Sequence, residues 1–208
     1  MEKTYRKKLH KACVGALMSA YLREYEKTIT LGDGTTVLLR PELATDTEML
    51  WQMFSTLSEE SFRFSVLPFP RERIEEWTSN IDHEKALPIL AVVRHGKKTR
   101  VVANASLGFF DANTVKHKAE FGITVHDDFQ SRGIGTALTK HMLNIAKKNK
   151  LHKVFLKVTT ENERAIRVYD MRVQNRGKIG RREFHRWKIH RRLRNVCFHV
   201  KLRSKILN

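Results

Sequence analysis

The chain has 208 residues, 41% hydrophobic and 30% charged, which suits one soluble globular domain with enough chain for a proper core. No apolar run approaches the roughly 18–20 residues that a membrane-spanning helix needs. The net charge of +18 is unevenly placed: residues 172–208 hold thirteen Lys and Arg against one acid, Glu183, so the rest of the chain is only mildly basic.

The start is basic and leads into a short apolar stretch, Ala12 to Met18. That stretch resembles a weak signal peptide, but it runs straight into Tyr21-Leu22-Arg23-Glu24, and an amphipathic helical extension over residues 1–27 is the expected reading. Cys13 and Cys197 have no metal-ligand spacing and are expected to stay reduced in a cytoplasm. Gly32-Asp33-Gly34 marks a turn, followed by a strand over Thr35 to Arg40. Thr45 or Asp46 can cap a helix that carries Met49, Leu50, Met53 and Phe54 on one face. A short helical piece is expected over Ser58 to Phe64, and another over Glu72 to Ser79, separated by Pro68 and Pro70. Strands over Ile89 to Arg94, Val101 to Phe110 and Lys118 to Val125, joined by turn sequences, form an antiparallel meander.

The third of these strands opens into Gln130-Ser131-Arg132-Gly133-Ile134-Gly135. A helix follows with Ile134, Leu138, Met142 and Ile145 on one face and Lys147-Lys148 at its end. A loop that opens a helix in this way offers backbone N–H groups and a positive dipole end to an anion. Its glycines let a diphosphate approach without a Cβ in the way. The next strand, Val154 to Val158, must return parallel to the one before the loop. Asn162 then caps a last helix through Ala165, Ile166 and Tyr169. Asp127-Asp128 reads as a turn and dipole pair rather than a catalytic dyad, and His83, His95, His117 and His126 as surface or loop residues without metal spacing. No metal site is expected.

Two of these segments carry a family likeness. Gln130 to Gly135 matches Q/R-x-x-G-x-G/A after a strand, and Asn162 to Tyr169 matches N-x-x-A-x-x-x-Y about 30 residues on. Together, over residues 28–171, they resemble the GNAT family of acyl-CoA-dependent N-acetyltransferases. Gly34 to Pro41 followed by Leu57 to Ser61, and Ala119-Glu120-Phe121, look like the branch that acetylates protein lysines. The resemblance implies an α/β (α+β) GNAT fold, a mixed and mostly antiparallel sheet with flanking helices. It implies acetyl-CoA as co-substrate and an amine as acceptor, a small molecule or a protein lysine.

The same resemblance assigns roles. Gln130, Ser131, Arg132, Gly133, Ile134, Gly135 and Thr136 would hold the pyrophosphate. Ile123, Thr124 and Val125 would pair with the pantetheine arm like an added strand, and Asn162 and Ala165 would contact the cofactor. Arg132 would add its charge or face solvent. Glu120 would be the general base that removes a proton from the arriving amine; the plainer reading is a Glu paired with a neighbouring Lys on an exposed strand face. Tyr169 would protonate the departing thiolate; the plainer reading is a core tyrosine.

From about Arg172 the likeness ends, since Val173-Gln174 stand where the family has Gly-Phe. The last two strands of the sheet are therefore expected to be missing or replaced, and residues 172–208 form a basic, atypical tail. Codon degeneracy allows Arg172 to Val200, read one nucleotide later, to encode G-F-K-I-E-G-K-L-E-E-E-N-F-I-D-G-K-Y-T-E-D-Y-V-M-S-V-F-M, with a stop next. A frameshift is the expected origin of the tail. Genomic reads across the codons for Met171 and Arg172 test it, and an intact frame with no homologous ending in the shifted one sinks it. Two other functions remain open: a damaged coenzyme A-binding descendant without turnover, and a tail that binds nucleic acid through its cations.

Overall fold

The structure, a computed structural model, describes residues 22–64, 70–96, 98–110, 117–174, 184–186 and 195–201. The helical extension expected over 1–27 falls almost wholly outside the described residues. The first strand, β1 (Lys27–Thr30), forms a hairpin with β2 (Thr36–Pro41) across the Gly32-Asp33-Gly34 turn, where Gly34 takes φ +82°. A 3₁₀ turn at Ala44–Asp46 leads into α1 (Thr47–Ser55), followed by α2 (Glu59–Arg63) and α3 (Arg71–Ser79). Then come β3 (Ala86–His95), β4 (Lys98–Phe109) and β5 (Lys118–Val125), the expected antiparallel meander. The helix α4 (Ile134–Lys148) carries the chain to β6 (Lys153–Thr159), which pairs parallel to β5, and α5 (Glu163–Gln174) follows.

Among the described residues the sheet has eight strands in the order β1-β2-β3-β4-β5-β6-β8-β7. Of the two expectations for its end, the structure takes replacement. Short β7 (Phe184–Arg186) and β8 (Asn195–Lys201) come from the atypical tail, and β8 pairs antiparallel with the whole of β6. On the shifted reading of the codons, β7 falls on F-I-D and β8 starts on M-S-V-F-M.

Each face of the sheet buries its own cluster. Leu138, Met142 and Ile145 of α4 pack on Val37, Leu39, Ala105, Leu107, Phe121, Val154 and Leu156. On the other face Leu50, Met53 and Phe54 of α1 and Ile74 of α3 cover Leu90, Val92 and Val101. A register shift between Ala91 and Val92 sends Val101 to this second face although Ala103, two residues on, faces the first. Burying a Leu- or Ile-sized side chain contributes about 1.5–3 kcal/mol, so these two clusters carry most of the fold's stability.

The end of β2 is held by a polar knot. Arg40 forms two bonds to buried Asp46, at 2.6 and 2.7 Å. Beside them Glu42 is fully buried, accepts from Asn104 Nδ2 at 3.2 Å, and has Oε1 without a partner. Burial, with Asp46 nearby, pushes the Glu42 carboxyl up to about 8. A carboxyl raised on folding binds its proton more tightly in the native state. Stability therefore falls as pH climbs from the ordinary carboxylate value of 4.5 through about 8. Glu42→Gln is expected to match the parent's unfolding free energy at pH about 4 and to exceed it by several kcal/mol at pH about 9, on the order of 1.4 kcal/mol for each pH unit between 4.5 and about 8. Melting curves across that range check it.

The cleft between the fifth and sixth strands

The parallel pairing of β5 with β6 is short. Lys118, Ala119 and Glu120 face Lys153, Val154 and Phe155, and beyond that pair the two strands part. Phe121 to Val125 keep β4 as a neighbour on one side only, while β6 continues against β8. A cavity of about 540 Å³ runs from this wedge to the start of α4. Ile123, Thr124 and Val125 form one wall, Asn162 to Ala165 with Arg167 and Val168 the other, and Glu60, Ser61 and Phe64 the lip. Such a volume is typical of a small-molecule site.

The floor of the cavity is the loop before α4. Ser131 sits at φ +59° and Gly133, the N-cap of α4, at φ +89°. Gly133, Gly135 and Thr136 at the start of α4 line this end of the cavity, and α4 carries no acid in its first turn. A Cβ at Gly133 would meet no atom within 4 Å, and one at Gly135 only Val125 Cγ2 at 3.6 Å. At Gly135 the protein itself therefore tolerates a side chain. The glycine suits a ligand that must come close to the backbone, which is the fit an anionic diphosphate requires.

Neighbouring elements brace the loop. Gln130 Nε2 donates to the Val125 carbonyl at 3.0 Å and to Ser61 Oγ at 2.9 Å. The Asp127 carboxylate accepts from the Ser58 amide (2.8 Å), Ser58 Oγ (2.7 Å) and Ser61 Oγ (2.6 Å), tying α2 to the loop. Burial pushes Asp127 up, but the bonds from the Ser58 amide and the Ser61 and Ser58 hydroxyls outweigh it and hold the carboxyl below its ordinary value. Asp127→Asn is expected to cost about 1 kcal/mol and to speed hydrogen exchange at the Ser58 amide, an effect that fades as pH falls below the ordinary carboxylate range. Asp127 thus serves as a turn partner, as its sequence position implies, but for α2 as well as for its own turn.

His126 departs from the surface expectation. It is buried, its Nε2 lies 2.9 Å from Thr56 Oγ1, and burial together with Arg100 lowers its pKa. A neutral ring here packs the loop onto the end of α1.

The residues assigned from the sequence divide into groups. Ile123, Thr124, Val125, Gln130, Ser131, Gly133, Gly135, Thr136, Asn162 and Ala165 all line the cavity. Asn162 does so while capping α5, its Oδ1 accepting from the Ala165 amide at 3.0 Å. Ile134 turns its side chain into the core and offers only backbone. Arg132 points away: its guanidinium bonds to Asp33, donates to Thr35 Oγ1 at 2.9 Å and stacks over Phe129 at 5.0 Å. Thr35 and Arg132 in turn hold the Asp33 carboxyl at about 2. Arg132 therefore fixes the loop to the first hairpin instead of lending charge to the cavity.

Glu120 stands at the apex of the wedge, outside the cavity lining, with its carboxylate 3.1 Å from Lys157 Nζ. The lysine pairing read as the plainer alternative for Glu120 is thus present. Tyr169 lies two turns along α5 from Asn162, and only its backbone is among the described residues. Sequence reasoning missed Glu60, Ser61 and Phe64 as the lip. The sequence places them in a short helical piece, and the structure adds that Ser58 caps it, its Oγ accepting from the Ser61 amide at 3.2 Å.

Comparisons with known proteins agree with this geometry. The model of the acetyltransferase (GNAT) family matches residues 51–172, more than half of the chain. A curated acetyltransferase of Pseudomonas aeruginosa is 26% identical over 141 residues, 66% of this chain and 74% of its own length. Among solved structures, the GNAT domain of S. lividans PAT superposes with a TM-score of 0.69 at 22% identity, covering 86% of this chain and 98% of that one. The ribosomal-protein-S5-alanine acetyltransferase of Vibrio fischeri gives a TM-score of 0.63 at 11% identity, covering 84% and 96%. At these identities the two structures speak for the fold.

Proposed function

Because the chain belongs to the GNAT acetyltransferase family, we propose that it moves an acetyl group from acetyl-CoA to a primary amine, in the narrower reading the side chain of a protein lysine. The observation that carries this reading is the cleft where β5 and β6 part, with the Gly133 cap at one end and Ile123, three residues along β5 from Glu120, in its wall. The N–H groups of Gly133 to Thr136 would hold the pyrophosphate, with the α4 dipole adding to them. The edge of Ile123 to Val125 that β6 leaves, with the Val125 carbonyl already accepting from Gln130, would pair through its remaining groups with the pantetheine amides as an extra strand. An N–H on the same strand would polarise the thioester carbonyl.

The chain's own residues then handle two protons. Glu120 accepts one from the arriving ammonium, directly or through water, so that the neutral amine can attack. Tyr169, two turns from the Asn162 cap, donates one to the thiolate as the carbon–sulfur bond breaks. Acetyl-CoA supplies the activated acyl carbon. The lysine acceptor rests on the likeness of Ala119-Glu120-Phe121 to the protein-acetylating branch.

Calorimetry with acetyl-CoA tests the cleft, and saturable binding at sub-millimolar concentration is expected; absence of binding rejects the proposal. Thiol release with a panel of amines and lysine peptides then separates a working enzyme from a coenzyme A-binding protein without turnover.

A further inference from the structure

Lys157 lies on β6 two residues past Phe155, the last partner of β5, and its Nζ is 3.1 Å from Glu120 Oε1. The two side chains are 62% and 45% exposed, so the pair adds little to stability. Its position is more telling than its strength. It sits at the apex of the wedge, on the open part of the sheet face that α1 and α3 leave uncovered. Glu120 is three residues from Ile123, where the cavity wall begins, a span of about 10 Å along an extended strand.

An amine acceptor that gives its proton to Glu120 directly brings an ammonium within hydrogen-bond distance of that carboxylate. Lys157 already does so. Among the described residues no other lysine is ion-paired to Glu120; Lys153, on the same strand, is turned over the Phe155 ring at 5.0 Å instead.

We propose that Lys157 is itself an acetyl acceptor, modified in cis by acetyl-CoA bound in the cleft. This rests on the functional reading above. The Lys157 ammonium gives a proton to the Glu120 carboxylate, and its nitrogen lone pair attacks the thioester carbonyl. A carbon–nitrogen bond forms, the carbon–sulfur bond breaks, and the sulfur leaves as the thiol with a proton from Tyr169, which the proton held by Glu120 then replaces through solvent. The second proton lost by nitrogen passes to solvent, and nothing is oxidised or reduced. The product amide carries no charge, so the pair with Glu120 dissolves and the carboxylate is freed for an external amine.

The test incubates the full chain with acetyl-CoA and follows each lysine by peptide mass spectrometry. Lys140 and Lys147, exposed on α4, serve as internal controls. Lys157 is expected to gain an acetyl group about tenfold faster than either control or more, the advantage of an amine held beside its base. Its rate per molecule should not change on dilution. Lys157→Arg keeps a cation beside Glu120 and should still bind acetyl-CoA in calorimetry, while the signal from that peptide disappears. If acetyl-CoA binds and added amines are acetylated while Lys157 is modified no faster than the controls, this inference falls and the functional reading stands. A Lys157 rate that drops with dilution overturns modification in cis. If acetyl-CoA does not bind, both fall together.

Discussion

Glu120→Gln is expected to lower kcat for acetylation of an amine by roughly 10²–10⁴-fold, the usual worth of a positioned general base. Gln keeps the size of the side chain and a hydrogen-bonding oxygen toward Lys157, but it cannot take up a proton. The loss should therefore appear in kcat, with acetyl-CoA affinity by calorimetry unchanged, because Glu120 lies outside the cavity lining. It should shrink as pH rises and bulk solvent deprotonates the amine. Thiol release at saturating acetyl-CoA across pH checks this. If Glu120 only pairs with Lys157, the substitution removes an exposed ion pair worth at most about 1 kcal/mol and turnover hardly moves.

Gly133→Val is expected to weaken acetyl-CoA binding about a hundredfold, roughly 3 kcal/mol. At φ +89° a β-branched residue is strained, and the chain would relieve the strain by rotating the cap out of the left-handed region. Rotation misaligns the N–H groups of Ile134 and Gly135, which the proposed pyrophosphate site depends on. No protein atom lies within 4 Å of the added Cβ, so core packing is not disturbed. Gly96→Val is the control. It also has positive φ, +60°, and open space, but it lies in the turn between β3 and β4. Both variants should lose similar thermal stability, and only the first should lose affinity. Equal affinity in both would separate the loop from ligand binding.

Several parts of the site were legible because their signals are local. A left-handed glycine before a helix, an Asn one residue ahead of α5, and the period-2 run of β5 each report their own geometry within a few residues. The order strand, loop, helix, strand forces β6 to lie parallel to its predecessor, and it does. The strand β1 escaped notice because it is polar and mostly exposed, with Ile29 as its only inward apolar residue, so no alternation marks it. Glu42 escaped for the opposite reason: nothing in Pro41-Glu42-Leu43 says that the carboxyl is buried while Leu43 beside it stays exposed.

By itself the sequence determined the glycine loop at the start of α4, the Asn162 cap of α5, the mixed sheet and the family to which they point. The tertiary structure decided which charged groups meet. Arg132 is drawn to Asp33, 99 positions away, and Glu120 to Lys157 on the next strand of the sheet. It decided too that β5 and β6 separate after three residue pairs and open the cleft. The reason is one of range. Backbone conformation and capping are set by the nearest few residues, whereas long flexible charged side chains take whichever partner the register and splay of distant strands bring within reach.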